Sequence, residues 1–480
     1  MSSLLKKGLT VDDIIVGLEV GQLVEARCPN KVHLQCTGVC WTVTGSSIAT
    51  SYGRTDITGW CDYPGAVCVW NIFARDLNPF SPAYVLDHTS CLMCVRCHPE
   101  QPSLIAAGSF NGEVIVWDVT NPEGQPLALS IIDDYCHKEP VVNLEWTFDS
   151  TRNEFILVSA GIDGKVLCWS MKNKFNHPIR GAFTNRLKSI KRSYPLSHGA
   201  TSLALSSGSS NTSASGDRTR AQWVVVGQEG GAITRGQAVR LLSSQVFTSE
   251  TFKSRPNVDE LFGAIKGPEE KFSHENHIGP VSALDCSPFN RNLFLSAGQD
   301  GMIQLLHMLS RQPIRKWEPT PGPGITSRSL AITCIKFSPL RPLVFAAGSA
   351  GGFVFIFDLA VSTSLPVAVL ETPALGLTGT TEDGAGDVRS TISTESETSE
   401  RLRNKPGNSK RSIARRVGVS SLSFNRKQRD LLAACDYAGR VHIWRLSWKL
   451  AHRNPDEQVQ LDRLASSIGE NDYDIDVNHG

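Results

Sequence analysis

The chain has 480 residues, 40% of them hydrophobic, and a formal net charge of +1. This charge balance gives no global attraction to nucleic acid or to a membrane surface, so neither is expected as a partner. No apolar stretch reaches the length of a membrane span, and residues 1–21 lack an apolar signal region. The 13 cysteines, an odd number without an export signal, are therefore expected to be reduced thiols in the cytoplasm.

A short unit repeats seven times along the chain. In each unit a turn glycine is followed, five residues later, by the residue that closes an apolar strand. The pairs are Gly65/Trp70, Gly112/Trp117, Gly164/Trp169, Gly230/Arg235, Gly301/Leu306, Gly352/Phe357 and Gly439/Trp444. We predict that the aromatic closing residues, Trp70, Trp117, Trp169, Phe357 and Trp444, are structural, because each ends a strand at the same point of its unit.

Each unit predicts a β-sheet blade. A strand of small residues such as Ala106-Ala107-Gly108 precedes the turn, and a further strand upstream ends at a break such as His98-Pro99. Three strands are visible in each unit, and a fourth can lie in the connection to the next. Such a blade cannot bury its apolar faces alone, so the units must stack into a ring. The sequence therefore predicts an all-β, seven-bladed propeller over residues 36–447.

The N-terminal segment, residues 1–35, is expected to contribute to ring closure. A closed ring needs one strand from the N-terminus beside the strand that ends at Trp444. We predict that this strand lies within residues 21–36.

The chain is longer than seven blades require, since seven repeats of roughly 40–45 residues need about 280–315. The surplus is assigned to insertions at about 171–199, 206–221, 236–275 and 374–417. The last of these is rich in Gly, Ser, Thr and acids and ends in a basic cluster at 401–416, so we expect a disordered loop. The cluster is either a solvated charge run, which is the favoured interpretation, or a site for an anionic partner, a phosphorylated segment or a microtubule surface.

Residues 448–480 form a C-terminal region with a helical pattern. Leu461, Leu464, Ala465 and Ile468 fall at positions i, i+3, i+4 and i+7, which predicts one apolar face of a helix of about three turns. This helix either packs back on the propeller or is held by a partner. The tail beyond it is acidic.

Two motifs resemble ligand-binding sites, a haem attachment site and a phosphate loop, but the predicted strands around them do not fit either. Cys94 to His98 has the spacing of a haem attachment site, but it lies in a predicted strand, where residues three apart point to opposite faces. Gly227 to Gly231 is glycine-rich, but a strand follows it where a phosphate loop needs a helix. We therefore predict no catalytic, cofactor-binding or metal site.

The repeat resembles the WD-repeat family, with Trp117-Asp118 and Phe357-Asp358 as its Trp-Asp positions, although Arg235 and Leu306 replace the Trp in units four and five. Within that family the chain resembles the dynein intermediate chains, in particular those of cytoplasmic dynein 2. The matching segments are Ser51-Tyr52-Gly53-Arg54, Cys68-Val69-Trp70-Asn71, His98-Pro99, the stretches 112–118 and 163–169, the run 286–298 and the stretch 341–347.

This resemblance implies a non-catalytic motor subunit that acts in retrograde intraflagellar transport and cilium assembly. The propeller would bind the dynein heavy chain, and a second, different intermediate chain would bind the other heavy chain. In the family an extended N-terminal segment recruits dynein light chains. Only about 35 residues precede the first unit here, so light-chain binding stays open. The implied location is the cytoplasm, the cytoskeleton and the cilium, at the axoneme and basal body.

A general WD-repeat scaffold, such as a ubiquitin-ligase substrate receptor, is the alternative interpretation. Propellers host many functions, so the fold does not discriminate between the two. The sequence names no partner-binding residue. The proteins that co-purify with the chain would separate the two interpretations.

Overall fold

The fold is described from a computed structural model of the full chain. It describes residues 12–19, 33–121, 123–184, 186–187, 196–207, 221–238, 246–265, 277–310, 312–320, 331–373 and 416–466. Within these ranges, every helix is too short or too polar to cross a membrane. The predicted disorder of 374–417, the basic residues 401–415, most of the insertion at 206–221, Ile468 and the acidic tail fall outside the described residues.

Seven antiparallel sheets form the blades of a propeller. Strand β1 (Asp12–Glu19) comes first in the chain. Blade 1 consists of β2 (Gln35–Trp41), β3 (Ser47–Gly53), β4 (Gly65–Asn71) and β5 (Tyr84–His88), and blade 2 of β6 (Leu92–Cys97), β7 (Leu104–Ser109), β8 (Val114–Asp118) and β9 (Pro126–Leu129). Blade 3 consists of β10 (Val141–Asp149), β11 (Glu154–Gly161), β12 (Lys165–Ser170) and β13 (Arg180–Phe183), with the short hairpin β14 (Arg186–Leu187) and β15 (Leu196–Ser197) after it.

The second half of the ring has the same order. Blade 4 consists of β16 (Ala200–Ser207), β17 (Ala221–Gln228) and β18 (Ile233–Gln237), and β19 (Gly263–Ala264) follows it. Blade 5 contains β20 (Ala283–Cys286), β21 (Leu293–Ala297), β22 (Ile303–His307) and β23 (Arg315–Trp317), and blade 6 contains β24 (Ile332–Phe337), β25 (Val344–Ser349), β26 (Phe353–Asp358) and β27 (Ala368–Glu371). Blade 7 contains β28 (Val419–Phe424), β29 (Leu431–Asp436) and β30 (Arg440–Arg445).

The first strand of every blade lines the centre of the ring, and each of these inner strands contacts the inner strand of the next blade. The second strands carry the small residues that permit close packing. A Cβ on Gly108 would lie 2.6 Å from Val141 Cγ1 of blade 3, so a larger residue would push two blades apart. Blades 7 and 1 also meet, since the Trp41 indole donates to the Ser423 carbonyl at 3.0 Å. The predicted seven-bladed propeller is confirmed.

Ring closure uses a different strand from the predicted one. Strand β1 pairs antiparallel with β30, with Asp13 opposite Trp444. The closing strand therefore lies at 12–19 and not within 21–36. Strands of one sheet are about 4.8 Å apart, so the outermost strand of blade 7 lies roughly 14 Å from the inner strands. The chain needs residues between β1 and β2 to cross that distance, and a closing strand directly before β2 would leave none.

Two of the predicted turn glycines do not supply the positive φ of their turn. In blade 4 the glycine with positive φ is Gly231, at 84°, and not Gly230. In blade 1 Gly65 is already the first residue of β4, because residues 54–64 form a wide connection in place of a tight turn. The turn glycines Gly112, Gly164, Gly301, Gly352 and Gly439 all have positive φ.

Two of the expected insertions contribute to blade 3. The stretch at about 171–199 contains the outer strand β13, which pairs with β12. The stretch at about 236–275 contains α1 (Ser249–Lys253), α2 (Val258–Leu261) and β19, and β19 adds to β13 in parallel. Phe262 anchors this segment, since it is 1% exposed and packs against Phe183 with ring centroids 6.0 Å apart. The segment therefore covers blade 3, although it follows blade 4 in sequence.

The insertion at about 374–417 leaves and re-enters the ring at one point. The backbone N–H of Thr372 donates to the Gly352 carbonyl at 2.9 Å, and the Thr372 hydroxyl donates to the Val417 carbonyl at 2.9 Å. Both ends of the insertion are thus held by blade 6.

Deletion of residues 378–411 is expected to leave the propeller folded. The retained ends are already joined through Thr372, and closing a shorter loop costs less entropy. Thermal unfolding of the deletion variant should stay cooperative, with a melting temperature close to that of the full chain. Limited proteolysis of the full chain should cut within 378–411 before any blade. Loss of cooperative unfolding on deletion would contradict this prediction.

Two helices follow blade 7, α3 (Trp448–Ala451) and α4 (Glu457–Ser466). The predicted helical face docks on the propeller, with Leu461 1% exposed against Leu293 and Leu343 of blades 5 and 6. Leu464 and Ala465 pack at the edge of the same cluster. Of the two possibilities that the sequence left open, the structure has the helix packed on its own ring.

Candidate partner-binding face

The blade-closing aromatic residues lie inside the blades. Trp70, Trp117, Trp169 and Phe357 are fully buried, and Trp444 is 4% exposed. Their structural role remains a prediction that substitution can test. Their burial removes them from the set of residues that a partner can touch.

Blade 3 contains a complete polar network behind its closing Trp. His137 Nε2 lies 2.8 Å from the Ser159 hydroxyl, which also accepts from the Trp169 indole at 2.8 Å. His137 Nδ1 lies 3.0 Å from Asp163 Oδ1. The network joins the connection before the blade to its second and third strands. It satisfies buried polar groups and presents no reactive atom to solvent.

Blade 5 repeats this network without the Trp. His277 Nε2 lies 2.9 Å from the Ser296 hydroxyl, and His277 Nδ1 lies 3.0 Å from Asp300. Leu306 fills the position of the closing aromatic residue and is fully buried. His137 and His277 thus occupy the same place before their blades and form the same contacts.

Blade 4 has Arg235 at the closing position, and this side chain reaches into blade 5. Its guanidinium donates to the carbonyls of His307 at 2.9 Å and Ser310 at 3.1 Å. Burial lowers the pKa of Arg235 to about 10. Where other blades have a Trp packed within the blade, blade 4 therefore has an Arg that forms hydrogen bonds to the next blade.

The propeller has two distinct faces. One carries the connections between the first and second strands and between the third and fourth strands of each blade. Helix α4 lies on it against Phe289, Leu343 and Leu359, which belong to such connections of blades 5 and 6. We call this side the helix face. The opposite face carries the glycine turns and the connections between blades.

The central channel opens on the helix face in a cavity of about 310 Å³. Two ion pairs between neighbouring inner strands line it: Arg96 with Glu145 at 2.9 Å, and Lys336 with Asp285 at 2.7 Å. Burial disfavours the charged form of Glu145, yet the neighbouring cations, Arg96 first among them, hold the pKa of Glu145 below its ordinary value. The mouth is therefore polar, and these four charges are paired across blade boundaries.

His98 lies at the same mouth and is held neutral. Its Nδ1 accepts from the backbone N–H groups of Glu100 at 3.1 Å and Gln101 at 2.9 Å, and its ring packs edge-on against Trp146 and Phe155. Burial lowers the pKa of His98 to about 4. Protonation of Nδ1 would remove both hydrogen bonds.

Stability is therefore expected to fall as the pH drops from about 6.5 towards 4. An unfolded histidine titrates near 6.5, so in this window the unfolded chain binds more protons than the folded one. The contribution of His98 is fully present above 6.5. His98→Asn keeps a hydrogen-bond acceptor for the turn, but its side chain does not titrate. The fall in melting temperature between pH 7 and pH 5 should therefore be smaller in this variant than in the wild-type chain. His452→Asn, at the residue that follows α3, is the control, and an equal reduction in both variants would contradict the assignment.

Exposed apolar side chains gather on the helix face of adjacent blades. Phe73 (52% exposed) and Phe80 (61%) lie in the connection between β4 and β5 of blade 1, and Trp448 (66%) directly follows blade 7. Blades 5 and 6 add Leu309, Val361 and Leu365 in their last connections. These four blades are contiguous in the closed ring, so the residues form one sector. We call it the apolar sector.

Other exposed apolar residues lie elsewhere. Trp60 and Ile278 are on the opposite face, and Leu127, Leu129, Ile131 and Ile132 follow the outer edge of blade 2. A large exposed apolar group that recurs over neighbouring blades is typical of a protein-binding surface. The sequence pattern did not name the apolar sector, although aromatic residues between the polar residues of a connection, as at 71–83, were a usable signal.

The segment with haem-like spacing does not gather its thiols. Cys94 Sγ donates towards the Val141 carbonyl of blade 3 at 3.3 Å, whereas Cys97 Sγ lies beside Cys40 of blade 1. The predicted divergence of these side chains is confirmed. Over the described ranges, no cluster of three or more His, Cys, Asp or Glu side chains has the arrangement of a metal site.

Comparison with known proteins agrees with the fold. Residues 80–118 match the family described as WD domain, G-beta repeat. The chain is 33% identical to cytoplasmic dynein 2 intermediate chain 2 of Mus musculus over 447 residues, which cover 91% of this chain and 70% of that protein. The corresponding protein of Homo sapiens is 30% identical with the same coverage. A more distant relative is the 70 kDa intermediate chain of the flagellar outer arm dynein of Chlamydomonas reinhardtii, at 23% identity over 77% of this chain and 56% of that protein.

The identity to the two cytoplasmic dynein 2 subunits extends over 91% of this chain and 70% of each subunit. This chain therefore belongs to the dynein intermediate chain family, and within it to the cytoplasmic dynein 2 intermediate chains.

Proposed function

We propose that this chain is a non-catalytic subunit of a cytoplasmic dynein 2 motor and binds the dynein heavy chain for retrograde intraflagellar transport and cilium assembly. The observation that carries the proposal is the 33% identity to a cytoplasmic dynein 2 intermediate chain over 91% of the chain. Its place of action would be the cytoplasm and the cytoskeleton of the cilium, at the axoneme and basal body. A second intermediate chain and dynein light chains would be the other partners.

The shape of the propeller supports a binding role. A closed ring of seven sheets is rigid and gives two broad faces, which suits contact with an elongated helical partner. The buried histidines of blades 3 and 5 are held in structural networks, and Arg96, Glu145, Asp285 and Lys336 at the channel mouth form two ion pairs. These groups are occupied with holding the ring together, which favours a scaffold over an enzyme.

We further propose that the heavy chain contacts the apolar sector. Phe73, Phe80 and Trp448 have more than half of their surface exposed, and aromatic residues of this kind are enriched among the residues that contribute most to protein interfaces. Helix α4 already covers the adjoining part of the helix face and would extend the contact surface.

Affinity purification of the tagged chain from ciliated cells, followed by mass spectrometry, tests the proposal. A dynein heavy chain should be recovered together with a second intermediate chain. Recovery of a ubiquitin-ligase adaptor without any dynein heavy chain would favour the general scaffold interpretation. Depletion of the chain should stall return transport, so that train proteins accumulate at the ciliary tip while outward movement begins normally. Normal retrograde velocity after depletion would reject the motor assignment.

Substitutions of exposed residues test which face of the propeller binds the heavy chain. Phe73→Asp with Phe80→Asp should reduce heavy-chain recovery about tenfold or more, because loss of one or two central aromatic contacts costs about 2 kcal/mol or more. Ile278→Asp, an exposed apolar position on the opposite face, is the matched control and should leave recovery unchanged. All three side chains are exposed, so the variants should keep the wild-type melting temperature. A loss confined to Ile278→Asp would place the contact on the opposite face.

A further inference from the structure

Two thiols from different blades meet at the mouth of the central channel. Cys40 belongs to β2 of blade 1 and Cys97 to β6 of blade 2, and their Sγ atoms lie 2.9 Å apart. The two residues are 57 positions apart in the chain, so the contact exists only in the folded ring. Both are free thiols, and both line the cavity of about 310 Å³ on the helix face.

Other cysteines also lie close together, but in different surroundings. Cys36 of blade 1 faces Cys435 of blade 7, and both are fully buried. Cys61 lies beside Cys91, and both are 1% exposed or less. Cys40 is 6% exposed and Cys97 is half-buried at the channel mouth. Among these three pairs, only Cys40 and Cys97 line the cavity, where a small soluble oxidant can reach them.

We propose that Cys40 and Cys97 are an oxidisable dithiol site, which a peroxide converts to a disulfide that joins blades 1 and 2. The Cys40 thiolate attacks one oxygen of hydrogen peroxide, the O–O bond breaks, and hydroxide leaves, so that Cys40 becomes a sulfenic acid. Cys97 Sγ then attacks the Cys40 sulfur, an S–S bond forms, and the sulfenic hydroxyl leaves as water after taking up a proton. Two thiols lose two electrons in total, and one peroxide is reduced to two waters.

The geometry suits this chemistry. A disulfide has an S–S bond of about 2.05 Å, so the two sulfurs need to approach by less than one ångström. The hydrogen bond with Cys40 and burial raise the pKa of the Cys97 thiol well above its ordinary value, and the positive charge of nearby Arg96 opposes that rise. Oxidation should therefore be faster at higher pH, where more thiolate is present. The sulfenic acid would form beside its resolving thiol, which protects it from further oxidation.

The disulfide would close a loop of 57 residues that contains the remainder of blade 1 and the first strand of blade 2. A cross-link of this length restricts the unfolded chain and therefore raises the melting temperature. It would also fix the boundary between the two blades at the channel mouth. The dithiol site lies within this one chain and does not depend on which motor or scaffold contains the chain.

Peptide mapping of the purified full-length chain tests the proposal. The reduced protein is treated with hydrogen peroxide under native conditions, free thiols are blocked with N-ethylmaleimide, and non-reduced peptides are identified by mass spectrometry. We expect a Cys40–Cys97 linked pair as the main disulfide, its reversal by dithiothreitol, and a melting temperature several degrees higher in the oxidised protein. Recovery of both cysteines as blocked free thiols, or as sulfinic acids without the link, would overturn the proposal.

Variants identify the pair independently of the mapping. Cys97→Ser should abolish the peroxide-dependent rise in melting temperature, and Cys61→Ser, in a buried pair outside the cavity, should retain it. If Cys97→Ser does not fold, the mapping of the wild-type chain still decides. A rise that persists in Cys97→Ser, or a main link at Cys36–Cys435, would also overturn the assignment.

Discussion

Trp169→Ala is expected to lower the free energy of unfolding by about 3–5 kcal/mol, the usual range for removing a large buried aromatic side chain. Trp169 is fully buried in the cluster that joins blades 2 and 3. The variant also removes the donor to Ser159, so the hydroxyl that bridges Trp169 and His137 loses one of its partners. Chemical or thermal unfolding of the purified chain measures the loss. Trp117→Ala should give a similar result, since Trp117 is equally buried.

Trp60→Ala is the control for this prediction. Trp60 is 61% exposed on the face opposite the C-terminal helix, so its removal should change stability by no more than about 0.5 kcal/mol. Retention of wild-type stability by Trp169→Ala would show that the closing position of blade 3 is wrongly assigned. Loss of heavy-chain binding in the Trp169 variant would follow from unfolding and would not identify a contact.

Arg341→Ala is expected to cost about 3–5 kcal/mol and to release the C-terminal helix, because removal of one partner of a buried ion pair leaves the other charge uncompensated. The Arg341 guanidinium, 2% exposed, pairs with Asp358 at 2.8 Å and with Glu457 of α4. It also donates to the Lys449 carbonyl of α3. One side chain thus holds both helices and the end of blade 6, and its loss should expose α4 to proteolysis near Glu457.

The Arg341 effect should depend on pH. Burial raises the pKa of Asp358 even with Arg341 beside it. In the variant, Asp358 would be buried without its cation, which raises the pKa of Asp358 further in the folded state. A raised folded pKa means that the folded chain gains protons, and therefore stability, as the pH falls. The destabilisation should consequently be smaller at pH 5 than at pH 8.

The surface pair of Arg416 with Glu371 provides the comparison for Arg341. Both of its side chains are at least one-third exposed, and such pairs contribute about 0–1 kcal/mol. Arg416→Ala should therefore leave both the stability and the protection of α4 nearly unchanged. Equal effects of Arg341→Ala and Arg416→Ala would show that the buried network does not hold the helix.

The sequence alone predicted the blades, because a blade is encoded locally. Alternating residues such as those of β8 select a strand, and Gly112 permits the positive φ of the turn. The closing positions followed from this spacing, and so did the helical face of α4, which needs only a period of 3.6 residues.

Long-range features needed the tertiary structure. Sequence placed the closing strand too late, because only the closed ring shows how far the chain travels from β1 to β2. The segment around Phe262 follows blade 4 but covers blade 3, and no local pattern names that partner. The sequence pattern around Arg341 does not indicate which carboxylates this side chain meets. In the structure its guanidinium pairs with both Asp358 and Glu457.

The apolar sector and the thiol pair at the channel mouth both form only when the ring closes. Phe73, Trp448 and Leu309 are far apart in sequence and fall in one sector of the helix face because their blades are consecutive in a closed ring. Cys40 and Cys97 meet because inner strands of adjacent blades converge on the channel. Strand and turn preferences act within a few residues, so the sequence determined the repeating unit. The burial of each unit against its neighbours is gained only when the ring closes, so the tertiary structure decided which side chains meet.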